Sequence, residues 1–200
     1  MLKPRGQRGF TLIELLVGIV IMAALAMLAG PNFATWLQNT QIRTAAEAIQ
    51  NGIHLARAEA VRRNTPVIFQ LTSTLDNTCT LSTAGKNWVV SLDAVAGSCG
   101  ATPTADWPTP TAPRIVQVRP GTDGSKNAVV AAGQSSIAFN PLGRVTPVPA
   151  GNIAIDISNP TGGTCAASSG PMRCMRVMVT ATGQVRLCDP ARPSTDIQGC

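Results

Sequence analysis

Residues 8–30 read RGFTLIELLVGIVIMAALAMLAG, and this stretch decides how the rest of the chain is organised. From Phe10 to Gly30 it is an apolar run that contains a single charged side chain, Glu14. At about 1.5 Å per residue, a helix of this length is able to cross the hydrocarbon core of a membrane. Three basic residues precede the run and predict a cytoplasmic N-terminus: Lys3, Arg5 and Arg8.

Glu14 is the most informative residue of this run. A carboxylate at the bilayer centre costs at least about 2.5 kcal/mol, and less near the interface, so it needs a cationic partner. Cleavage after Gly9 would create that partner as a free α-amino group on Phe10. An ordinary secretory signal cleaved near Ala24-Leu25-Ala26 is the alternative, but it leaves Glu14 unexplained.

The segment Arg8-Gly9-Phe10-Thr11-Leu12-Ile13-Glu14-Leu15 resembles the prepilin signature of type IV pilins and type II secretion pseudopilins. The resemblance implies that a prepilin peptidase cuts between Gly9 and Phe10 and that Phe10 is N-methylated. It also implies that Glu14 directs assembly into a filament. Pro31 falls where many pilins bend their long N-terminal helix, and a proline inside a helix does remove one hydrogen bond.

Beyond Pro31 the pattern predicts a second, amphipathic part of the same helix. Apolar residues recur at intervals of three and four and form one stripe that should pack on a sheet. Asn64-Thr65-Pro66 ends the helix, because the residue before a proline avoids helical geometry. The apolar stripe consists of Ile42, Ala45, Ala46, Ile49, Ile53, Ala56 and Ala60.

Four segments are therefore expected. They are a leader at residues 1–9, a transmembrane and assembly helix at 10–30, its amphipathic continuation at 31–63, and a β-rich periplasmic head at 64–200. The helix is expected to run from Phe10 to Arg63. Short β-like segments separated by turns follow it, which predicts an α+β fold with the long helix packed on an antiparallel sheet. The expected strands are 67–72, 88–92, 114–118, 128–132, 136–139, 144–146, 152–157, 173–180 and 185–188.

Three large apolar residues, Phe33, Trp36 and Leu37, lie roughly opposite the apolar stripe on a helical wheel. They are open to two interpretations, an aromatic belt at the membrane surface or contacts with neighbouring subunits in a filament. His54, the only histidine, is expected to be a solvated helix residue. It is placed unpromisingly for a hydrolytic triad.

All six cysteines lie downstream of the apolar run, which is typical of an oxidised extracytoplasmic domain. Short loops favour the pairs Cys79–Cys99, Cys165–Cys174 and Cys188–Cys200, with free buried thiols as the alternative. A zinc site is disfavoured, because the chain has no C-x-x-C motif and one histidine. No Gly-rich phosphate loop or acidic cluster is present, so no enzyme activity, cofactor or metal is predicted.

The chain has a formal net charge of +6, but much of this charge precedes the apolar run. Between residues 64 and 200 the net charge is only +2, from nine Lys and Arg against seven Asp. This is weak evidence for nucleic-acid binding.

The order of segments in the head adds a second resemblance, to the GspH/FimT family of minor pilins and pseudopilins. Its marks are Ile-Ala-Phe-Asn-Pro-Leu-Gly-Arg at residues 137–144 and Gly-Gln-Val-Arg-Leu-Cys-Asp at 183–189. In some members a Gly-Arg-x-Arg motif binds DNA during natural transformation. Here Gln184 replaces the first arginine, which weakens a DNA role because each cation contributes to phosphate contact. The residues that could still contact double-stranded DNA are Arg173, Arg176, Arg186 and Arg192.

The resemblance implies a minor pilin of a type IV pilus, held in the inner membrane with a periplasmic head and then built into a surface filament. Its partners would be other pilins and the prepilin peptidase. A DNA-binding minor pilin and a type II secretion pseudopilin are the alternatives.

Overall fold

The computed structural model describes residues 10–106 and 112–200, without the side chains of residues 28–32. The expected leader, residues 1–9, lies outside the described residues, and so does the cleavage position at Gly9. The described chain folds into one long α-helix followed by eight β-strands and a short 3₁₀ turn at Ala166–Ser168.

Helix α1 spans Leu12–Arg63, which is 52 residues or about 80 Å. It begins two residues later than predicted, because Thr11 is extended and its hydroxyl accepts a hydrogen bond from the Glu14 backbone N–H at 3.3 Å. It ends where the sequence predicts, with Asn64 in the left-handed conformation as the C-cap. The helix is continuous across residue 31.

The eight strands form two antiparallel four-stranded sheets, with orders β3-β2-β1-β5 and β4-β6-β7-β8. The α+β prediction is confirmed, although the head holds two sheets where one was expected. The strand bounds are β1 Val67–Thr72, β2 Asn87–Ser91, β3 Ile115–Arg119, β4 Val129–Ala132, β5 Ser136–Phe139, β6 Ile153–Ser158, β7 Met175–Val179 and β8 Val185–Cys188.

The predicted strand at residues 144–146 is wrong. This segment makes only one isolated bridge, from Val145 to Phe139, and then reaches Pro147. A proline has no N–H to donate to a ladder, so the turn at residues 140–143 is followed by a loop and not by a further strand.

The main core lies where the second half of α1 packs on both sheets. All seven residues of the predicted apolar stripe are buried there. Gly52 lets the helix approach closely, since a Cβ at this position would lie 2.8 Å from Cε2 of Phe69 and 3.0 Å from Cζ2 of Trp88. The helix and the first sheet therefore make their close contact at Gly52, which has no side chain.

A second, smaller core covers the other face of the first sheet. It contains Val89, Val95 and Ile115 together with the Cys79–Cys99 disulfide. The structure pairs all six cysteines as expected, since Cys165 is bonded to Cys174 and Cys188 to Cys200. The Cys79–Cys99 bridge encloses β2, whereas the other two bridges close segments that contain no complete strand.

Candidate assembly and docking surfaces

The first half of α1 has no packing partner within the described chain. Every described side chain from Phe10 to Met27 is exposed, although most of them are large and apolar. No helix among the described residues is both long and apolar enough to cross a membrane.

Glu14 lies in the first turn of α1, where the positive end of the helix dipole favours a carboxylate. It shares a shallow depression along the helix with Phe10, Gly18 and Met22. The expected new N-terminus at Phe10 and the carboxylate of Glu14 therefore face the same side of the helix.

The aromatic group on α1 is exposed, as its position opposite the stripe predicts. The rings of Phe33 and Trp36 stack with their centroids 5.7 Å apart, and Leu37 beside them is also exposed. Both interpretations of these residues, membrane belt and subunit contact, need an exposed surface, so their exposure does not choose between them.

A groove of about 510 Å³ opens between α1 and the edge of the second sheet. Trp36 and Arg43 line it from the helix, Leu187 lines it from β8, and Arg173 and Arg192 line it from the flanking loops. We call it the C-terminal groove. Sequence reasoning missed it, because its walls are about 150 residues apart in the chain.

The four arginines considered for DNA contact are divided between two surfaces. Arg173 and Arg192 line the C-terminal groove. Arg176 and Arg186 lie on the outer face of the second sheet, since they alternate with the buried Val177 of β7 and its partner Leu187 of β8. They do not form a single basic patch.

In the part of the chain that the structure describes, two of these four arginines have acidic partners, and the other two do not. Arg176 donates to Asp156 at 2.6 Å, and Arg192 donates to Asp196 at 2.9 Å. Among the described residues, neither Arg173 nor Arg186 has an ion pair within 4.0 Å. Of the four arginines, these two exposed side chains are therefore the ones most available to a partner.

Gly183, the first residue of the segment that resembles the DNA-binding motif, is required by the fold. Its φ is +80°, and a Cβ there would collide with the backbone carbonyl of Gly143. Arg57 of α1 donates from Nε to the same carbonyl at 3.1 Å. The glycine is thus explained by a close contact between two turns, without any reference to DNA.

The end of α1 is tied to the loop after residue 100. Arg63 donates to Glu59 at 2.6 Å and to Asp106 at 2.6 Å. Burial raises the pKa of Glu59, but hydrogen bonds from Arg62 and Arg63 outweigh burial and hold this pKa below its usual value. Hydrogen bonds from the same two arginines lower the pKa of Asp106.

Asp93 is an acidic residue of the head that forms an ion pair with Arg114. Its carboxylate accepts hydrogen bonds from the backbone N–H, Nε and Nη2 of Arg114 at 2.6–2.9 Å. These bonds lower its pKa to about 2. Within residues 10–106 and 112–200, no three His, Cys, Asp or Glu side chains come together in a way that could hold a metal ion.

A long helix with an exposed apolar first half and a second half packed on antiparallel sheets defines a pilin-like subunit. The chain belongs to the family described as "Type II transport protein GspH", whose model matches residues 45–183. Residues 4–30 match the prokaryotic N-terminal methylation motif. The protein is therefore a type IV pilin-like minor pilin or pseudopilin.

Two solved structures, both of the type IV minor pilin FimU from Pseudomonas aeruginosa, are similar to this chain. The first is 15% identical in sequence. The match covers 77% of this chain and 94% of the FimU chain, with a TM-score of 0.48. The second is 16% identical. The match covers 78% of this chain and 90% of the FimU chain, with a TM-score of 0.49. No curated protein matches the chain significantly.

Proposed function

We propose that this protein is a minor structural pilin that is cut after Gly9 and built into a type IV pilus, where it contributes to assembly or to the tip complex. The observation that carries the proposal is the exposed apolar surface of α1 from Phe10 to Met27, which contains one carboxylate. Such a surface is stable only when lipid or other apolar helices cover it.

In this proposal lipid covers the apolar surface first, and the helices of other subunits cover it later in the filament. The helix first anchors the protein in the inner membrane as a single span, with the head in the periplasm. Cleavage by the prepilin peptidase then frees the α-amino group of Phe10. Glu14 pairs with this group on a neighbouring subunit, which neutralises both charges as the helices move from lipid into the filament. The role is structural and not catalytic.

Replacing Glu14 with valine tests this proposal in the protein's own bacterial host. Membrane insertion should stay normal, because the change removes a charge from the apolar run. Incorporation into sheared filaments should fall at least about tenfold, the ratio that corresponds to losing roughly 1.4 kcal/mol from a desolvated ion pair. Glu47→Val is the matched control, since Glu47 lies on the same helix in an exposed pair with Arg43. Normal incorporation of the Glu14 variant contradicts the assigned role.

The description of the matched family favours a second candidate, a pseudopilin of a type II secretion system. The anchor would work in the same way in both systems. Deleting the gene in the host separates the candidates, because loss of pili with normal protein secretion supports the first and the reverse supports the second.

A DNA-binding role rests on Arg186, which is exposed and lacks an ion pair among the described residues. Titration of the purified protein with double-stranded DNA at two salt concentrations tests it. Binding should weaken with salt, fall with Arg186→Ala and rise with Gln184→Arg, because each phosphate contact releases a counterion. Absence of binding even with Gln184→Arg excludes this role.

A further inference from the structure

We propose that the C-terminal groove receives one face of a neighbouring pilin-like subunit's helix, so that the C-terminal disulfide loop acts as a docking wall. The inference rests on the proposed function, since it requires a filament or an assembly complex. The loop, residues 188–200, lies beyond the region that matches the family model, residues 45–183.

The first argument is the alignment of the groove with the anchor. Gly18 and Trp36 are 18 residues apart, which is five full turns at about 3.6 residues per turn. Trp36 therefore lies directly above Gly18 along the helix, and Thr40 lies above Met22 in the same way. Gly18 and Met22 belong to the depression that contains Glu14, whereas Trp36 and Thr40 line the C-terminal groove.

This alignment favours a helix as the occupant. A helix that packs beside Glu14 and runs along the exposed face of α1 reaches the groove about 27 Å further on, after the 18-residue rise. The groove volume of about 510 Å³ is too small for a helix of roughly 10 Å diameter but holds several of its side chains. The neighbour would lie against α1 and insert side chains between Trp36 and Leu187.

The second argument is the rigidity of the loop that forms the other wall. The Cys188–Cys200 disulfide closes it. Asp189 N–H donates to the carbonyl of Gln198 at 2.7 Å, and Arg192 donates to Asp196 at 2.9 Å. A wall that is ordered in advance loses little conformational entropy when a partner binds.

This rigid loop also displays a large apolar side chain beside a groove-lining residue. Ile197 is 91% exposed, and the next residue, Gln198, lines the groove together with Trp36. Burial of this side chain against a partner would be favourable by about 25 cal/mol per Å² of apolar surface.

The arginines that line the groove indicate which charge a partner helix would carry. Arg43 has an acidic partner in Glu47 and Arg192 has one in Asp196. The exposed Arg173 side chain, by contrast, has no ion pair within 4.0 Å among the described residues. The best-fitting helix therefore carries a carboxylate that faces Arg173, next to an apolar stripe that covers Trp36 and Ile197.

Photo-crosslinking of the full chain in its own host tests this docking. Ile197 is replaced with the photoreactive p-benzoylphenylalanine, cells are irradiated while filaments form, and adducts are identified by mass spectrometry. The matched control carries the same group at Val148, a 78% exposed apolar position on another loop of the head. We expect an adduct at Ile197 to the helix of another pilin-like subunit, and little or none at Val148.

A charge reversal sharpens the test. Arg173→Glu should reduce the Ile197 adduct about fivefold, the ratio for roughly 1 kcal/mol, which is the upper range for an exposed ion pair. Arg144→Glu, an exposed arginine outside the groove, should leave the adduct unchanged. A phospholipid adduct at Ile197, equal yields at Ile197 and Val148, or no adduct overturns the inference.

A third probe separates this inference from the proposed function. The same photoreactive group at Leu16, on the exposed anchor, should crosslink to neighbouring pilin helices whenever the protein is in a filament. Adducts from Leu16 without adducts from Ile197 refute the groove alone. If neither position gives a protein adduct and the wild-type chain is absent from filaments, the proposed function fails as well.

Discussion

The two halves of α1 are built from similar apolar residues but have opposite surroundings. Between Phe10 and Met27 every described side chain is exposed, whereas between Ile42 and Ala60 a continuous stripe is buried against two sheets. The first half is apolar almost all round, and the second half is apolar on one face only. An all-round apolar helix needs a surrounding apolar medium, while a one-sided helix needs only a sheet.

The two halves of the helix therefore need different surroundings for their stability. The head supports the second half through its own core, and it gives no support to the first. Changes in the second half should therefore alter the folding of the head, and changes in the first half should alter only anchoring and assembly. Matched substitutions in the two halves test whether the stability of the head depends on the second half alone.

The largest expected effect comes from an isoleucine in each half. Ile53 is 0% exposed in the core, and Ile19 is 61% exposed in the first half of α1. Ile53→Ala should lower the free energy of unfolding of the head by about 3 kcal/mol, because it removes buried methyl groups and leaves a cavity. Ile19→Ala should change it by less than about 0.5 kcal/mol. Urea unfolding of the full chain in detergent, followed by tryptophan fluorescence, measures both, and similar losses would refute the separation.

The glycines of the two halves give the next comparison. A Cβ at Gly52 would lie 2.8 Å from Phe69, whereas nothing lies within 4 Å of a Cβ at Gly18. Gly52→Ala should lower the free energy of unfolding of the head by about 1–2 kcal/mol, since overpacking exceeds the helix-propensity gain of about 1 kcal/mol. Gly18→Ala should leave the head unchanged in the same unfolding assay. A more stable Gly52→Ala head would show that the ring of Phe69 moves aside.

The stability of the head depends on pH through the ion pair between Asp93 and Arg114. The pKa of Asp93 is about 2, below its usual value near 3.8, because of the hydrogen bonds from Arg114. The lowered pKa stabilises the fold above about pH 4, and this contribution is lost as the pH falls towards 2. Asp93→Asn should cost about 1–2 kcal/mol at pH 7, after allowance for partial exposure of the pair.

Unfolding of this variant beside the wild type at pH 7 and pH 2.5 measures the difference. It should shrink at the lower pH, because most of the stability that the ionised Asp93 gives the wild type is lost between its unfolded and folded pKa values. Asp123→Asn is the control, since Asp123 is exposed and has no ion pair among the described residues. A difference that stays constant with pH would show that Asp93 acts through its shape and not its charge.

Local pattern was enough to predict the features that depend on neighbouring residues in the chain. The buried stripe of α1 follows from a period of 3.6, and β1, β5 and β8 have the predicted bounds because short apolar runs there are bordered by turn residues. The three disulfides were predictable for a similar reason, since each joins cysteines separated by at most 20 residues.

The features that the sequence did not predict depend on residues far apart in the chain. The division into two sheets depends on β1 pairing with β5 across the inserted β4. The C-terminal groove needs Trp36 and Arg192 on opposite walls. Asp106 reaches Arg63 across 43 positions, and no local pattern marks that contact. Tertiary packing, which periodicity does not encode, decides all three.

Two ion pairs on the second half of α1 are expected to have small and unequal effects on the free energy of unfolding. Glu47 pairs with Arg43 and Glu59 pairs with Arg63, both at a spacing of four residues, but the side chain of Glu47 is 48% exposed and that of Glu59 is 13% exposed. Glu59→Gln should cost about 1 kcal/mol, because it weakens a half-buried network. Glu47→Gln should cost only about 0.3 kcal/mol. Urea unfolding in low and high salt measures both, and salt should reduce the Glu47 effect more, since exposed charges are screened. Equal effects that respond equally to salt would mean that the contacts with Asp106 add nothing to the end of the helix.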